Sequence, residues 1–168
     1  AGVSHNAPYH HFADKAALVE ALAVENFEIL ERDLREAYGQ AEGTSLDKLL
    51  ATGVAYVRFA LRHPAAFRLM FRPELHQHRV ENESDAVELA GYETNDILLR
   101  GMRLSQQEGL IVTDMDVRLL SIAAWSTMHG LAILLLDNSV QKLLPAPQDD
   151  EQLARYVTQI LSDGIRRR

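Results

Sequence analysis

The sequence predicts an all-α protein, and three observations carry that expectation. Apolar residues recur at helical spacing along nearly all of the 168 residues, and strand-like alternation is absent. Cap and stop residues punctuate the stripes: Gly39, Thr44 with Asp47, His63-Pro64, Gly109 and Asp149-Asp150. One stretch, Leu119 to Leu136, holds no charged side chain, so its helix needs cover on most sides.

Composition narrows the classes. Hydrophobic residues make up 47% and charged residues 24%, a balance that supports a packed core and excludes global disorder. The chain has no cysteine, which excludes disulfides, thiolate metal sites and Cys nucleophiles and fits a reducing, cytoplasmic setting. No basic segment followed by an apolar run opens the chain, so no signal peptide is expected. A net charge of -7 argues against nucleic-acid binding over the whole surface. It leaves room for a local patch: between Ala1 and Lys15, three histidines and one lysine face a single acid, Asp14.

Taken in order, Ala1-Gly2-Val3 reads as a turn, and Ser4 as the N-cap of a short helix from about His5 to His10. Pro8 is tolerated in that helix's early turn. Asp14 then caps a long helix from Lys15 to Tyr38, whose stripe is Val19, Leu22, Ala23, Phe27, Leu30, Leu34 and Tyr38 and whose stop is Gly39. Together these segments have the form of the second half of a helix-turn-helix. Thr44 and Asp47 form a capping pair, and Leu46, Leu49, Leu50, Gly53, Val54, Val57 and Leu61 carry the next helix to about Arg62. His63 is pushed out of helical geometry by Pro64, which opens a short helix through Phe71. Arg72 to Asn82 reads as a polar loop. A helix from Glu83 or Ser84 to Glu108 follows, stopped by Gly109. Thr113 or Asp114 is expected to cap the next helix, which runs to about Asp137. After a loop with Pro145 and Pro147, Asp149 or Asp150 caps a last helix through about Ile165, with Arg166 to Arg168 suited to its negative end.

The uncharged stretch approaches the length of a membrane span. Ser121, Ser126, Thr127, His129 and Gly130 lie inside it, and Asp116 and Asp137 flank it without a basic cluster, so a buried helix and no membrane contact are expected. The last helix adds a stripe of Leu153, Tyr156, Val157, Ile160, Leu161 and Ile165. Two neighbouring helices with surplus apolar surface suggest a homodimer built as a symmetric four-helix interface; packing within one monomer is the alternative.

The spacing of Ala1-Gly2-Val3-Ser4, Tyr9, His11-Phe12, Lys15 and Leu18 resembles the end of the DNA-binding domain of the TetR family of transcriptional regulators. The earlier helices of that domain would precede Ala1. The pattern Trp125-x-x-x-His129-Gly130, with Ala55 to Ala60 and His63 to Phe71, is similar to the WHG-type C-terminal regulatory domain of one subgroup. The resemblance implies two parts: residues 1–38 as the end of the DNA-binding domain plus a connecting helix, and residues 39–168 as a helical ligand-binding and dimerisation domain. It implies a short helix entering the major groove of operator DNA, and an effector cavity enclosed between Thr44 and Asp137.

Chemistry and resemblance agree on the DNA contacts. Ser4 suits phosphate; His5 and Asn6 point towards base edges, Asn being suited to adenine. Tyr9, His10 and Lys15 suit phosphate. A packing role for Tyr9 stays open. For an effector of largely apolar character, Phe67, Met70 and Phe71 offer lining, and Arg103 or His63 a polar anchor. Trp125 and His129 share one helix face and suit either packing or ligand contact. Glu74, His76 and His78 lack a firm metal-ligand pattern, and no nucleophile elbow or phosphate-cradling loop appears. No enzyme, metal or cofactor is therefore expected. The reading is a ligand-responsive regulator, expected to be a repressor; the alternative is a helical small-molecule carrier without DNA binding.

Overall fold

The computed structural model describes residues 15–72 and 86–167. Among them the chain forms six α-helices: α1 (Lys15–Gln40), α2 (Ser45–Arg62), α3 (Pro64–Met70), α4 (Ala86–Gln107), α5 (Val117–Leu136) and α6 (Asp150–Ile165), with a 3-10 turn at Gln141–Leu143. The short helix expected from His5 to His10 and most of the polar loop with Glu74, His76 and His78 lie outside the described residues.

α2 is the axis, touching each of the other five helices. Its sequence prepares it for that place. Leu46, Leu49, Val54, Ala55, Tyr56, Val57, Phe59 and Ala60 are all buried, so it is apolar on more than one face. α1, α3 and α4 pack along one side of it, and α5 and α6 along the other. Two glycines set the closeness of approach. A methyl at Gly53 would come within 2.5 Å of the Thr158 methyl on α6, and one at Gly101 within 2.5 Å of Leu49. Gly130, where the sequence suggests a close helix approach, meets nothing within 4 Å.

Among the described residues the start signals hold with one change; Asp14, and the start expected at Glu83 or Ser84, lie outside them. The Thr44 hydroxyl accepts from the Asp47 amide while the Asp47 carboxylate accepts from the Thr44 amide, a complete capping box. Asp149 caps α6 through the Gln152 amide. Asp116, not Thr113 or Asp114, caps α5, accepting from the Arg118 amide at 2.8 Å. Gly39 does not stop α1, which runs one residue further. The reversal comes at Gly43, whose φ of +96° is open to glycine and strained for other residues. Gly109, at φ +70°, turns the chain after α4. The C-terminal arginines do not simply flank the end of α6. The chain is extended at Arg166, the Val112 amide donates to the Ile165 carbonyl, and the Arg167 amide donates to the Leu110 carbonyl. This two-bond clasp ties the end of the chain to the α4–α5 connection and seals Ile111 completely.

In the single chain α5 is covered along one face. By length and hydropathy alone it could cross a membrane, and its sequence predicts cover on most sides, yet only 39% of its apolar window is buried. It packs on α2, α4 and α6 through Leu120, Ala124, Met128, Leu131, Ala132 and Leu135. Leu119, Ile122 and Leu134 face outwards, as do Tyr156 and Ile160 of α6, the last 72% exposed. Val157 of the same α6 stripe is instead packed against the core. The surplus apolar surface is thus on the outside of the single chain.

Two hydrophobic clusters result. One is rich in rings and joins α1, α2, α3 and the C-terminal half of α5, with Val87, Ala90 and Ile97 of α4 and Leu153 and Ala154 of α6. The other is mainly aliphatic, made of Leu46, Leu49, Met102, Ile111, Leu120 and Ala124.

Candidate ligand-binding cavity

Between the two clusters lies a cavity of about 80 Å³. Its walls come from α1 (Leu34), α2 (Leu46, Leu49, Thr52, Gly53, Tyr56), α4 (Ile97, Leu98, Met102), α5 (Ala124, Trp125, Met128) and α6 (Thr158, Leu161, Ser162, Ile165). Gly53 and Gly101 explain its shape: they draw α6 and α4 close to α2 at two points and leave the space between the longer side chains unfilled. No charged residue lines it. A carboxylate or ammonium placed inside would be stripped of water with no countercharge, so the cavity suits neutral molecules.

Tyr56 and Trp125 stand at the ring-rich end. The Trp125 indole N–H donates to Tyr56 Oη at 3.2 Å, and Tyr56 Oη lies 2.8 Å from His129 Nδ1. The Tyr56 oxygen has two lone pairs and one proton, so with His129 as the neutral Nε2–H tautomer Nδ1 takes the Tyr56 proton, and with the Nδ1–H tautomer the direction reverses. Burial pushes the His129 pKa down and the Tyr56 phenol pKa up, so both groups stay uncharged near neutral pH. Rings surround this network: Phe67 lies 5.2 Å and Phe71 4.6 Å from the His129 ring, and Phe67 meets Tyr56 edge-on at 5.6 Å. Phe71 also touches Trp125 at 6.2 Å and, edge-to-face at 5.5 Å, Phe27 of α1. A continuous run of rings therefore joins the cavity wall to the long first helix.

The residues singled out from the sequence are thus only partly brought together. Trp125 lines the cavity, while His129, Phe67 and Phe71 form the layer behind it. Met70 is buried in the ring-rich core and does not reach the cavity. His63 and Arg103 are exposed and cannot anchor a ligand there; His63 instead stacks at 5.0 Å on Phe59. The polar groups on the wall are Tyr56, Thr52, Thr158 and Ser162, none of which sequence reasoning chose. The usable signal was hydroxyls at helical spacing within apolar stripes: Thr158 and Ser162, four apart, share a face with Leu161 and Ile165. Of the DNA candidates, Ser4, His5, Asn6, Tyr9 and His10 lie outside the described residues, and Lys15 is exposed at the first position of α1. A second, shallower hollow of about 280 Å³ opens between α1 and α4 beside Arg35, Tyr38 and Arg100.

Residues 49–161 match the family model described as Tetracyclin repressor-like, C-terminal domain. No curated protein matches the sequence. Among solved structures, a protein of unknown function from Rhodococcus sp. RHA1 is 31% identical, with a TM-score of 0.81 over 99% of this chain and 80% of its own. FadR from Bacillus subtilis, a transcriptional regulator solved in complex with stearoyl-CoA, is 21% identical with a TM-score of 0.75 over 98% of this chain and 83% of its own. The TetR family regulator PfmR from Thermus thermophilus is 18% identical with a TM-score of 0.72, over 99% of this chain and 85% of its own. The last two likenesses are of fold.

Proposed function

Because the chain belongs to the tetracycline-repressor-like (TetR) family, whose members are ligand-responsive transcription regulators, we propose that it is a cytoplasmic DNA-binding regulator released from its operator by a small, largely apolar effector. The observation that carries this reading is the cavity without charged lining between α2, α4, α5 and α6, with Leu34 of α1 on its wall. A pocket of that lining binds apolar molecules, and the stearoyl-CoA held by FadR carries a long apolar chain. On this proposal Ser4, His5, Asn6, Tyr9, His10 and Lys15 contact DNA, and no catalytic role is assigned.

The proposed switch is a shift between two placements of α1. Filling the cavity moves Trp125 and Phe71, and Phe71 bears on Phe27 of α1, the helix that leads out of the DNA-contacting segment. A ligand of equal affinity for both placements would shift nothing. The outward faces of α5 and α6 supply the homodimer, which would set two reading helices roughly 34 Å apart. Exposed Ile122 and Ile160 are the positions to test: glutamate at both should give monomers by light scattering. An unchanged dimer mass would put the interface elsewhere.

The switching experiment uses the full-length protein and DNA selected by it from a random-sequence pool. Trp125, the single tryptophan, reports occupancy of the cavity by its emission. The expected result is a loss of DNA affinity at fixed salt as the cavity fills. Full occupancy with unchanged DNA affinity would overturn the regulator reading and leave a carrier.

A further inference from the structure

Seven serine and threonine side chains are buried among the described residues: Ser45, Thr52, Thr94, Ser105, Ser121, Thr158 and Ser162. Six have a partner. Ser45 and Ser105 bond each other at 2.6 Å, and Ser45 also donates to Glu108. Thr52 donates to the Leu49 carbonyl, Thr94 to Ala90 and Ser121 to Val117, each within its own helix. Thr158 donates towards the Ala154 and Arg155 carbonyls. Ser162, only 2% exposed, has none, and it is the residue of this group that lies beside Leu161 on the cavity wall.

An unmade hydrogen bond at a buried hydroxyl is costly, so one exception among seven calls for a partner that arrives from elsewhere. A helical serine ordinarily returns its proton to the carbonyl four residues back, as Ser121 does. Ser162 does not. The other hydroxyls on the cavity wall already have partners: Thr52 and Thr158 donate to the backbone, and Tyr56 is bonded to Trp125 and His129. Ser162 is therefore the one O–H donor on this wall that remains free, in a lining with no charged residue.

We infer that Ser162 Oγ donates a hydrogen bond to a neutral, apolar ligand carrying one acceptor oxygen, of the ketone or ester-carbonyl class. This rests on the reading of the cavity as the effector site. It adds a direction to that reading: the ligand's oxygen points at α6, and its hydrocarbon body fills the space towards Leu49, Met102 and Met128.

The test is a calorimetric titration of the full chain with cyclohexanone and with methylenecyclohexane, which differ by an oxygen in place of a methylene. Wild type, Ser162→Ala and Thr158→Val are compared through the ratio of the two dissociation constants. Ser162→Ala should shift that ratio about fivefold to tenfold against the ketone, the span of one buried hydrogen bond. Thr158→Val, on the same wall but with its proton already bound, should leave the ratio unchanged. Ser162→Cys, similar in size and a weak donor, should fall between, and it serves also if the alanine variant does not fold. An unchanged ratio in Ser162→Ala or Ser162→Cys overturns the assignment. Should neither probe bind wild type, the effector-cavity reading itself fails and the assignment falls with it.

Discussion

The cavity divides two cores that are built on different principles. On the α3 side, Phe27, Phe59, Phe67, Phe71 and the Tyr56–His129–Trp125 network interlock through ring contacts and hydrogen bonds. On the opposite side Leu46, Leu49, Met102, Ile111 and Leu120 form an aliphatic centre with Tyr38 as the one ring packed against it, closed by the clasp between residues 110–112 and 165–167. Rings with a fixed hydrogen-bonded centre have few alternative arrangements, whereas leucine and methionine repack at little cost. The rigid half is the one joined to α1 through Phe71 and Phe27; the adaptable half supplies more of the cavity lining than the rigid half does. A division of labour follows, in which one half takes up differences in ligand shape and the other transmits displacement.

The sharpest way to break that contrast is to hollow out each half in turn. Phe67 is fully buried and touches the rings of Tyr56, Phe59, Phe71 and His129. Phe67→Ala should lose about 3–5 kcal/mol in urea denaturation. Leu49 already borders empty space, so Leu49→Ala should lie near the lower end of the usual range, about 2 kcal/mol. Equal losses would mean that the two halves are packed alike.

Next in size is the glycine contact that holds the wall together. Gly53→Ala sets a methyl 2.5 Å from the Thr158 methyl, and both neighbours are parts of well-packed helices. The expected cost is about 1–3 kcal/mol, accompanied by weaker binding of any cavity probe as α6 is pushed from α2. Gly130→Ala, which meets open space in the monomer, should instead be neutral or stabilising by about 0.5–1 kcal/mol through helix propensity. If Gly130→Ala costs as much as Gly53→Ala, the close approach lies at Gly130 after all.

These two glycines show what the sequence could and could not tell. Local signals were legible: the Thr44–Asp47 box, the Asp149 cap, the break at His63-Pro64 and the turn at Gly109 all rest on residues a few positions apart. Which helix would be surrounded was not. Leu119 to Leu136 is the most apolar stretch, yet α2, carrying Asp47, Lys48, Arg58 and Arg62, takes the central place. Its charges escape at the ends or at the edge, where Arg58 forks onto Glu151 of α6 at 2.8 and 3.0 Å. Periodicity reports how much apolar surface an element has, and says nothing of whether a neighbour in the same chain covers it. The cavity was unreadable for a related reason. It is a space left by Gly53 and Gly101 between helices distant in sequence, and its hydroxyls looked like ordinary polar positions.

The smallest effect, and the most specific to the ring-rich half, is a dependence on pH. His129 Nδ1 is hydrogen-bonded to Tyr56 Oη, and burial lowers its pKa below the ordinary imidazole value of about 6.5. The unfolded chain therefore takes up a proton that the folded chain refuses, so the contribution is intact above about pH 6.5 and is lost as pH falls through the lower folded-state pKa. Protonation would also make Nδ1 a donor towards Tyr56 Oη, so the Tyr56 proton would have to turn away while its oxygen accepts from both rings. His129→Gln keeps an acceptor for Tyr56 and cannot titrate. Its melting temperature should fall less than that of wild type between about pH 7.5 and pH 5. Tyr56→Phe should cost about 1 kcal/mol at neutral pH by leaving the Trp125 N–H without its acceptor, and Trp125 emission should shift with it. The aliphatic half contains no comparable group, so a matching pH response in Leu49→Ala and Phe67→Ala alike would show that the titrating site is elsewhere, whereas a response abolished by Phe67→Ala alone would place it in the rings around His129.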